Sequence, residues 1–290
     1  MTLPPLIAAM RPRQWSKNVF VLAGIVFAGK LFERPAQLRV LSCFVLFCAA
    51  SSAVYLVNDV VDRSTDAHHP LKSLRPIASG RLSPAIAVAA SLALTAGALV
   101  AAALLNRATL AIIAAYLASS FAYSFWLKRV FLLDVMTVAA GFVLRAVAGA
   151  ACIGAEISPW LLVCSFLLAL FLALGKRRSE LVLLGQDATS HRMALGHYSL
   201  ALVDSWLTAL AAAAIVSYAI YTQSPRTVEH FGTTNLLYTV PFVIYALFRY
   251  QHHVVRQDAG GDPGNLLVQD RALWMALLGW AITAAVVIYG

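Results

Sequence analysis

The sequence predicts an all-α, polytopic integral membrane protein: nine transmembrane helices forming a single domain over residues 1–290, with an active-site cavity facing the cytoplasm. Three observations predict it. Of the 290 residues, 61% are apolar and only 12% charged, where ordinary soluble domains have about half and about a quarter. The roughly 177 apolar residues nearly match the ~180 that nine spans of about 20 residues require. The apolar runs are separated by short basic or Gly/Pro-rich breaks, with no linker or repeat between them. A soluble enzyme and a disordered chain are both excluded.

The runs fall at 16–32, 38–62, 84–105, 108–127, 132–152, 157–175, 200–222, 234–250 and 272–289. The first follows Arg11, Arg13 and Lys17 and carries no small-residue cleavage site, so it reads as a retained helix and not a signal peptide. Topology follows from the cations. Sixteen of the 22 Lys and Arg fall in the N-terminal segment and in the breaks after the second, fourth, sixth and eighth runs. The positive-inside rule places those segments in the cytoplasm and the C-terminus outside, in an inner (cytoplasmic) membrane. The net charge of +9 is thereby a matter of topology, anionic lipid and phosphorylated substrates, and not of nucleic acid. Ten of the 13 acids, among them Asp187, Asp258 and Asp262, lie on the same face. Topology alone does not ask for that, so chemistry is concentrated there. Cys43, Cys48, Cys152 and Cys164 sit in apolar stretches and read as small buried hydrophobes.

The strongest constellation closes the second run, from Asn58 through Asp59 and Asp62 to Asp66. Asn58, Asp62 and Asp66 are spaced i, i+4, i+8 and share one helical face. Several carboxylates at membrane depth need a compensating cation, and an all-oxygen ligand set suits Mg²⁺ bridged to substrate phosphates. Whether Asp59 or Glu180 joins that set is open at this stage. Beyond the motif, His68 and His69 read as loop residues, while Lys72 and especially Arg75 stand ready for phosphate. The fourth run ends in Tyr123 and Lys128, both candidate phosphate contacts. Asp134 lies about a turn into the fifth run, where a carboxylate should be paired or metal-bound, and Arg145 lies three turns further on. The two are about 16 Å apart along a helix, too far for contact, which leaves Arg145 as an intramembrane guanidinium suited to phosphate. After the sixth run, Lys176, Arg177 and Arg178 form either a topological stop or a phosphate clamp. If the helix continues there, Lys176, Arg177 and Glu180 face the cavity and Arg178 faces the headgroups. Lys17 and Asn18 are the N-terminal candidates for a polar headgroup.

The Asn-Asp-x-x-Asp-x-x-x-Asp motif in a nine-span chain resembles the UbiA-type intramembrane prenyltransferase superfamily, over nearly the whole chain. Four segments look like the branch of that superfamily that makes decaprenylphosphoryl-5-phosphoribose: Arg11 to Asn18, the loop closing on Arg75-Pro76-Ile77-Ala78-Ser79-Gly80, Gly141 to Ala146, and Gly175 to Leu181. The resemblance implies a UbiA-like bundle and a transferase. Members acting on aromatic acceptors carry a second Asp-rich motif where this chain reads Lys-Arg-Arg-Ser-Glu. A basic segment there suits 5-phosphoribosyl diphosphate as donor, with polyprenyl (decaprenyl) phosphate as the lipid acceptor. In that reading Asn58, Asp62 and Asp66 hold Mg²⁺, and Asp62, Asp66, Lys128 and Asp134 serve catalysis. Lys17, Arg75, Tyr123, Lys128, Arg145, Lys176 and Arg177 meet substrate phosphates. Prenyl transfer to a small acceptor is the alternative. A lipid transporter is disfavoured, because the charges cluster at one mouth and not at the bilayer midplane. The oligomeric state is not legible.

Overall fold

In a computed structural model, the structure describes residues 3–68, 70, 72–156, 158–184, 193–256, 266 and 269–289. His69, Asp187, Arg192, Asp258 and Asp262, used above for topology and loop assignment, lie outside the described residues. Every regular element among the described residues is helical. In chain order they are α1 (Pro5–Ala9), a 3₁₀ segment (Pro12–Leu22), α2 (Ala23–Phe27), α3 (Arg34–Val61), α4 (Arg63–Ala67), α5 (Pro84–Leu105), α6 (Arg107–Phe125), α7 (Leu133–Cys152) and α8 (Pro159–Leu184). There follow α9 (Leu200–Gln223), α10 (Pro225–Phe231), α11 (Val240–Arg256) and α12 (Arg271–Tyr289), with short 3₁₀ turns between some of them.

Seven helices, α3, α5, α6, α7, α8, α9 and α12, are long and apolar enough to cross a membrane. An eighth crossing arises if α10 and the 235–256 segment count together, bent by 100° at their junction. The expected first helix, 16–32, is not one α-helix. Arg11 adopts a left-handed backbone (φ 55°), Pro12 opens the next element, and eleven residues follow in 3₁₀ geometry before α2. α11 starts and ends six residues later than the eighth predicted run, whose first residues, Asn235–Thr239, wind as a 3₁₀ turn. Elsewhere the limits agree to within a few residues, save at α8. Its helix runs to Leu184, nine residues past the predicted end, and carries the basic segment 176–178 inside it.

The chain packs as two compact units. The first comprises residues 1–128 and 141–156, the second 129–140 and 157–290. In the first, Val40, Cys43, Phe47, Ala50, Ile113, Tyr116 and Leu117 form a core between α3 and α6. Two glycines let the N-terminal segment lie directly on α7. A Cβ on Gly149 would stand 1.8 Å from the Val21 carbonyl oxygen, and one on Gly24 would stand 2.3 Å from the Ala150 nitrogen. In the second unit, α8 and α9 pack through Phe171, Leu174, Val203, Leu207 and Ala211.

Candidate functional site

The acidic motif sits where α3 gives way to α4. The helix breaks at Asp62 (φ −88°, ψ 3°), yet the four-residue ladder continues through it. Asp62 N–H donates to the Asn58 carbonyl at 2.9 Å and Asp66 N–H to the Asp62 carbonyl at 2.8 Å. The i, i+4, i+8 spacing therefore survives the break. Asp59 and Asp66 are buried at the foot of this corner.

Cations are interleaved with the carboxylates. The Lys128 ammonium donates to Asp62 Oδ1 and reaches Asn58 Oδ1 at 3.5 Å, so one positive charge stands where those two oxygens converge. Arg75 spends both hydrogens of Nη1 on carboxylates, at 3.2 Å to Asp59 Oδ1 and 2.5 Å to Asp66 Oδ2. Arg11 donates through Nη2 to the same Asp59 Oδ1. Asp59 Oδ2 is buried and has no hydrogen-bond partner among the described residues. Of the predicted residues, Asn58, Asp62, Asp66, Arg75 and Lys128 are thus brought together. Among the described residues, no three His, Cys, Asp or Glu side chains already converge as a metal cage. The all-oxygen donor set nonetheless fits a hard divalent ion in its chemistry: Asn58 and Asp62 already meet at one ammonium, while Asp66 Oδ2 meets Arg75. Lys17 is exposed and Tyr123 half-buried.

A second polar cluster lies in the same unit, around Arg145. Arg145, 6% exposed, donates from Nε to Asn18 Oδ1 (2.7 Å), from Nη1 to the Gly141 carbonyl (2.8 Å) and from Nη2 to the Tyr116 hydroxyl (2.9 Å). Its guanidinium also lies over the Tyr116 and Phe142 rings. All three nitrogens are committed to the protein. Asn18, expected to face a headgroup, is instead fully buried and also donates to Ser51 Oγ. The physical reason is the 3₁₀ segment, which turns Asn18 inward against α3 and α7.

The second unit places Asp134, fully buried, between two donors. Arg177 Nε reaches its Oδ2 at 2.8 Å and the Tyr198 hydroxyl its Oδ1 at 2.7 Å. Burial, and then the hydrogen bond to Asp134, push the Tyr198 phenol well above its usual range. Arg177 also pairs with Glu180 through Nη1. Lys176 is exposed. Arg178, expected to face the headgroups, is buried. It donates from Nε to Asp204 (2.6 Å) and from Nη1 to the Val254 carbonyl (2.8 Å), because the continuing helix turns it toward α9 and α11. At the start of α12, Asp270 Oδ1 accepts from the backbone N–H of Ala272 and Leu273, while Oδ2 accepts from Arg249 and His253.

Sequence reasoning missed Arg11, Tyr116, Tyr198 and Asp204 as partners of the charged residues. Arg11 stood out only as one more N-terminal cation, Tyr116 lies inside an apolar run, and Tyr198 lies in the break before the seventh run. Nothing in their spacing marks them.

The helices and the carboxylate–cation corner define a class, the polytopic membrane proteins with a charged site at a helix end. The profile of the UbiA prenyltransferase family matches residues 18–179, and the chain belongs to that family. It is 34% identical to the decaprenyl-phosphate phosphoribosyltransferase of Corynebacterium glutamicum, covering 98% of this chain and 86% of that protein. It is likewise 34% identical to the decaprenyl-phosphate phosphoribosyltransferase of Mycolicibacterium smegmatis, covering 98% and 92%. Among solved structures, a UbiA homolog from Archaeoglobus fulgidus bound to GPP and Mg²⁺ superposes with a TM-score of 0.71 at 19% identity, covering 98% of this chain and 96% of that one. At that identity the likeness speaks to the fold alone. The protein is an integral membrane transferase of the UbiA family.

Proposed function

We propose that this protein transfers 5-phosphoribose from 5-phosphoribosyl diphosphate to polyprenyl phosphate. The C1–O bond to diphosphate breaks, a C1–O bond to the lipid phosphate forms, and diphosphate leaves. The observation that carries the reading is the charge arrangement. The corner at Asn58–Asp66 is laced with cations, and the segment that is acidic in aromatic-substrate members is here a helix bearing Lys176, Arg177 and Arg178. The names of the full-length relatives point the same way.

Asn58, Asp62 and Asp66 would hold a divalent cation, Mg²⁺ by the hardness of its oxygen donors. Held there, the ion would supply positive charge to offset that of the departing diphosphate. The chain's own residues do the rest. Arg75, fixed by Nη1, leaves its Nε–Nη2 edge without a partner among the described residues, and that edge matches two phosphate oxygens. Lys128, held against Asp62 and Asn58, is a further cation at the corner and is proposed as a phosphate contact. The acceptor phosphate is already ionised, so no strong general base is needed. The principal task is holding two anions together, which cations accomplish. Lys17, Tyr123 and Lys176 are proposed as further phosphate contacts.

We also place the corner and the N-terminus in the cytoplasm and the C-terminus outside. Nine crossings follow if residues 12–27 count as one. Eleven residues of 3₁₀ helix at about 2.0 Å each, then five of α-helix, extend about 30 Å, the thickness of the hydrocarbon core.

The test is direct. Purified protein is incubated with Mg²⁺, ribose-labelled 5-phosphoribosyl diphosphate and polyprenyl phosphate, and lipid is extracted. Label in the lipid phase, lost in Asp62→Asn and in EDTA, is the expected result. Label confined to the aqueous phase, with polyprenyl diphosphate consumed in a parallel incubation with an aromatic acceptor, would reverse the substrate assignment.

A further inference from the structure

The predicted ligands leave one carboxylate of the corner without a task. Asp59 is 2% exposed, more deeply buried than its neighbour Asp62, and it holds two guanidiniums on a single oxygen. A buried carboxylate is costly unless its charge is used. We propose that Asp59 and Arg11 are positioning residues for Arg75, setting the open edge of its guanidinium toward a diphosphate. The inference rests on the reading of Arg75 as a phosphate contact.

The geometry runs as follows. Arg75 Nη1 carries two hydrogens, and the two carboxylates at 3.2 Å and 2.5 Å take both. A planar guanidinium held at one nitrogen by two divergent acceptors has little freedom to rotate, so Nε and Nη2 point in one fixed direction. With Asp66 alone, the group would pivot about a single bond. Asp59 supplies the second point of attachment.

Arg11 completes the arrangement. It shares Asp59 Oδ1 with Arg75 and lies with its guanidinium 5.0 Å from the Tyr55 ring centre. Two cations and two carboxylates leave the quartet Arg11, Asp59, Arg75, Asp66 neutral. Without Arg11, the whole charge of Asp59 would act on Arg75 and draw its free donors inward. The left-handed backbone at Arg11, which an L side chain rarely adopts, delivers the side chain to this place at the turn between α1 and the 3₁₀ segment.

Asp59 Oδ2, without a partner among the described residues, raises a competing role, that of a further metal ligand. The two roles separate by what is bound. Titration calorimetry on the full-length protein in detergent would use inorganic diphosphate and Mg²⁺ as separate probes. Expected is a loss of diphosphate affinity of about tenfold in Asp59→Asn and in Arg75→Gln, with Mg²⁺ affinity within about twofold of wild type in both. The double variant should be no worse than Arg75→Gln alone. Arg11→Gln should lose about three- to tenfold, Arg11→Lys should recover most of it, and Arg11→Gln should add nothing once Arg75 is already glutamine. Should Asp59→Asn fail to fold, the Arg11 series completes the same cycle, since that side chain is 25% exposed. Weakened Mg²⁺ binding in Asp59→Asn comparable to that of Asp62→Asn would make Asp59 a ligand and overturn the proposal. Losses that multiply in the double variants would overturn it too, as would unchanged diphosphate binding in both Asp59→Asn and Arg11→Gln. Because the probe is inorganic diphosphate, a failure to label lipid with ribose would reject the substrate reading and leave this cycle readable.

Discussion

Replacing Arg145 by Met tests whether an intramembrane arginine here braces the fold or grips substrate. The side chain is 6% exposed and makes three hydrogen bonds of 2.7 to 2.9 Å, to Asn18, Gly141 and Tyr116. Bonds to a charged group contribute about 1.5–3 kcal/mol each in soluble proteins, but inter-helix bonds in membranes average about 0.6 kcal/mol and reach about 1.7. Three of them, one to a carbonyl also used by the helix, come to about 2–5 kcal/mol. At about 2–4 °C per kcal/mol, the melting temperature should fall by roughly 10 °C. Arg145→Lys should recover little, because an ammonium cannot reproduce a planar fork aimed at three acceptors. The assay is thermal unfolding in detergent, followed by burial of Cys48 and Cys152, alongside calorimetric diphosphate binding well below the transition. Diphosphate affinity should stay within about twofold of wild type. A melting temperature unchanged within about 2 °C, together with a tenfold loss of diphosphate affinity, would refute the reasoning and make Arg145 a phosphate contact.

Gly149→Ala should prevent the N-terminal segment from seating on α7, since the added methyl would stand 1.8 Å from the Val21 carbonyl oxygen; expression and monodispersity on size exclusion are the readout, and wild-type behaviour would contradict the close approach. Lys176→Gln should raise the KM for 5-phosphoribosyl diphosphate about tenfold with insertion unchanged, whereas a purely topological residue would alter insertion and neither kinetic constant. Asp270 should make acid stability depend on α12. Desolvation raises its pKa, but the N–H groups of Leu273 and Ala272 with Arg249 and His253 outweigh that and hold the carboxyl well below its usual range. A lowered pKa means stability that is fully present above the unfolded value of about 3.9 and lost as pH falls toward the folded one. Wild type should therefore lose melting temperature steeply below about pH 4, and Asp270→Asn, which keeps a capping oxygen, should show a flatter acid limb from a lower neutral value. Identical acid limbs would contradict it.

What the sequence determined is what composition and period control. An apolar excess this large leaves lipid as the only solvent, and helices are then the way to satisfy the backbone, so the limits of α5, α6, α7, α9 and α12 could be read to within one or two residues. The Asn58–Asp62–Asp66 register was legible for the same reason, because a four-residue spacing has one geometric meaning in a helix. Tertiary structure decided the rest. That residues 12–22 wind as a 3₁₀ helix follows from the left-handed turn at Arg11 and from the seating of Gly24 and Gly149, contacts 125 or more residues apart in the chain. That choice in turn buried Asn18 under Arg145. Asp134 could be seen to need a partner, but not that Arg177 and Tyr198 would provide it, nor that α8 would turn Arg178 inward to Asp204. A charge in a membrane announces that it must be compensated; which distant group compensates it depends on packing, and packing has no period to read.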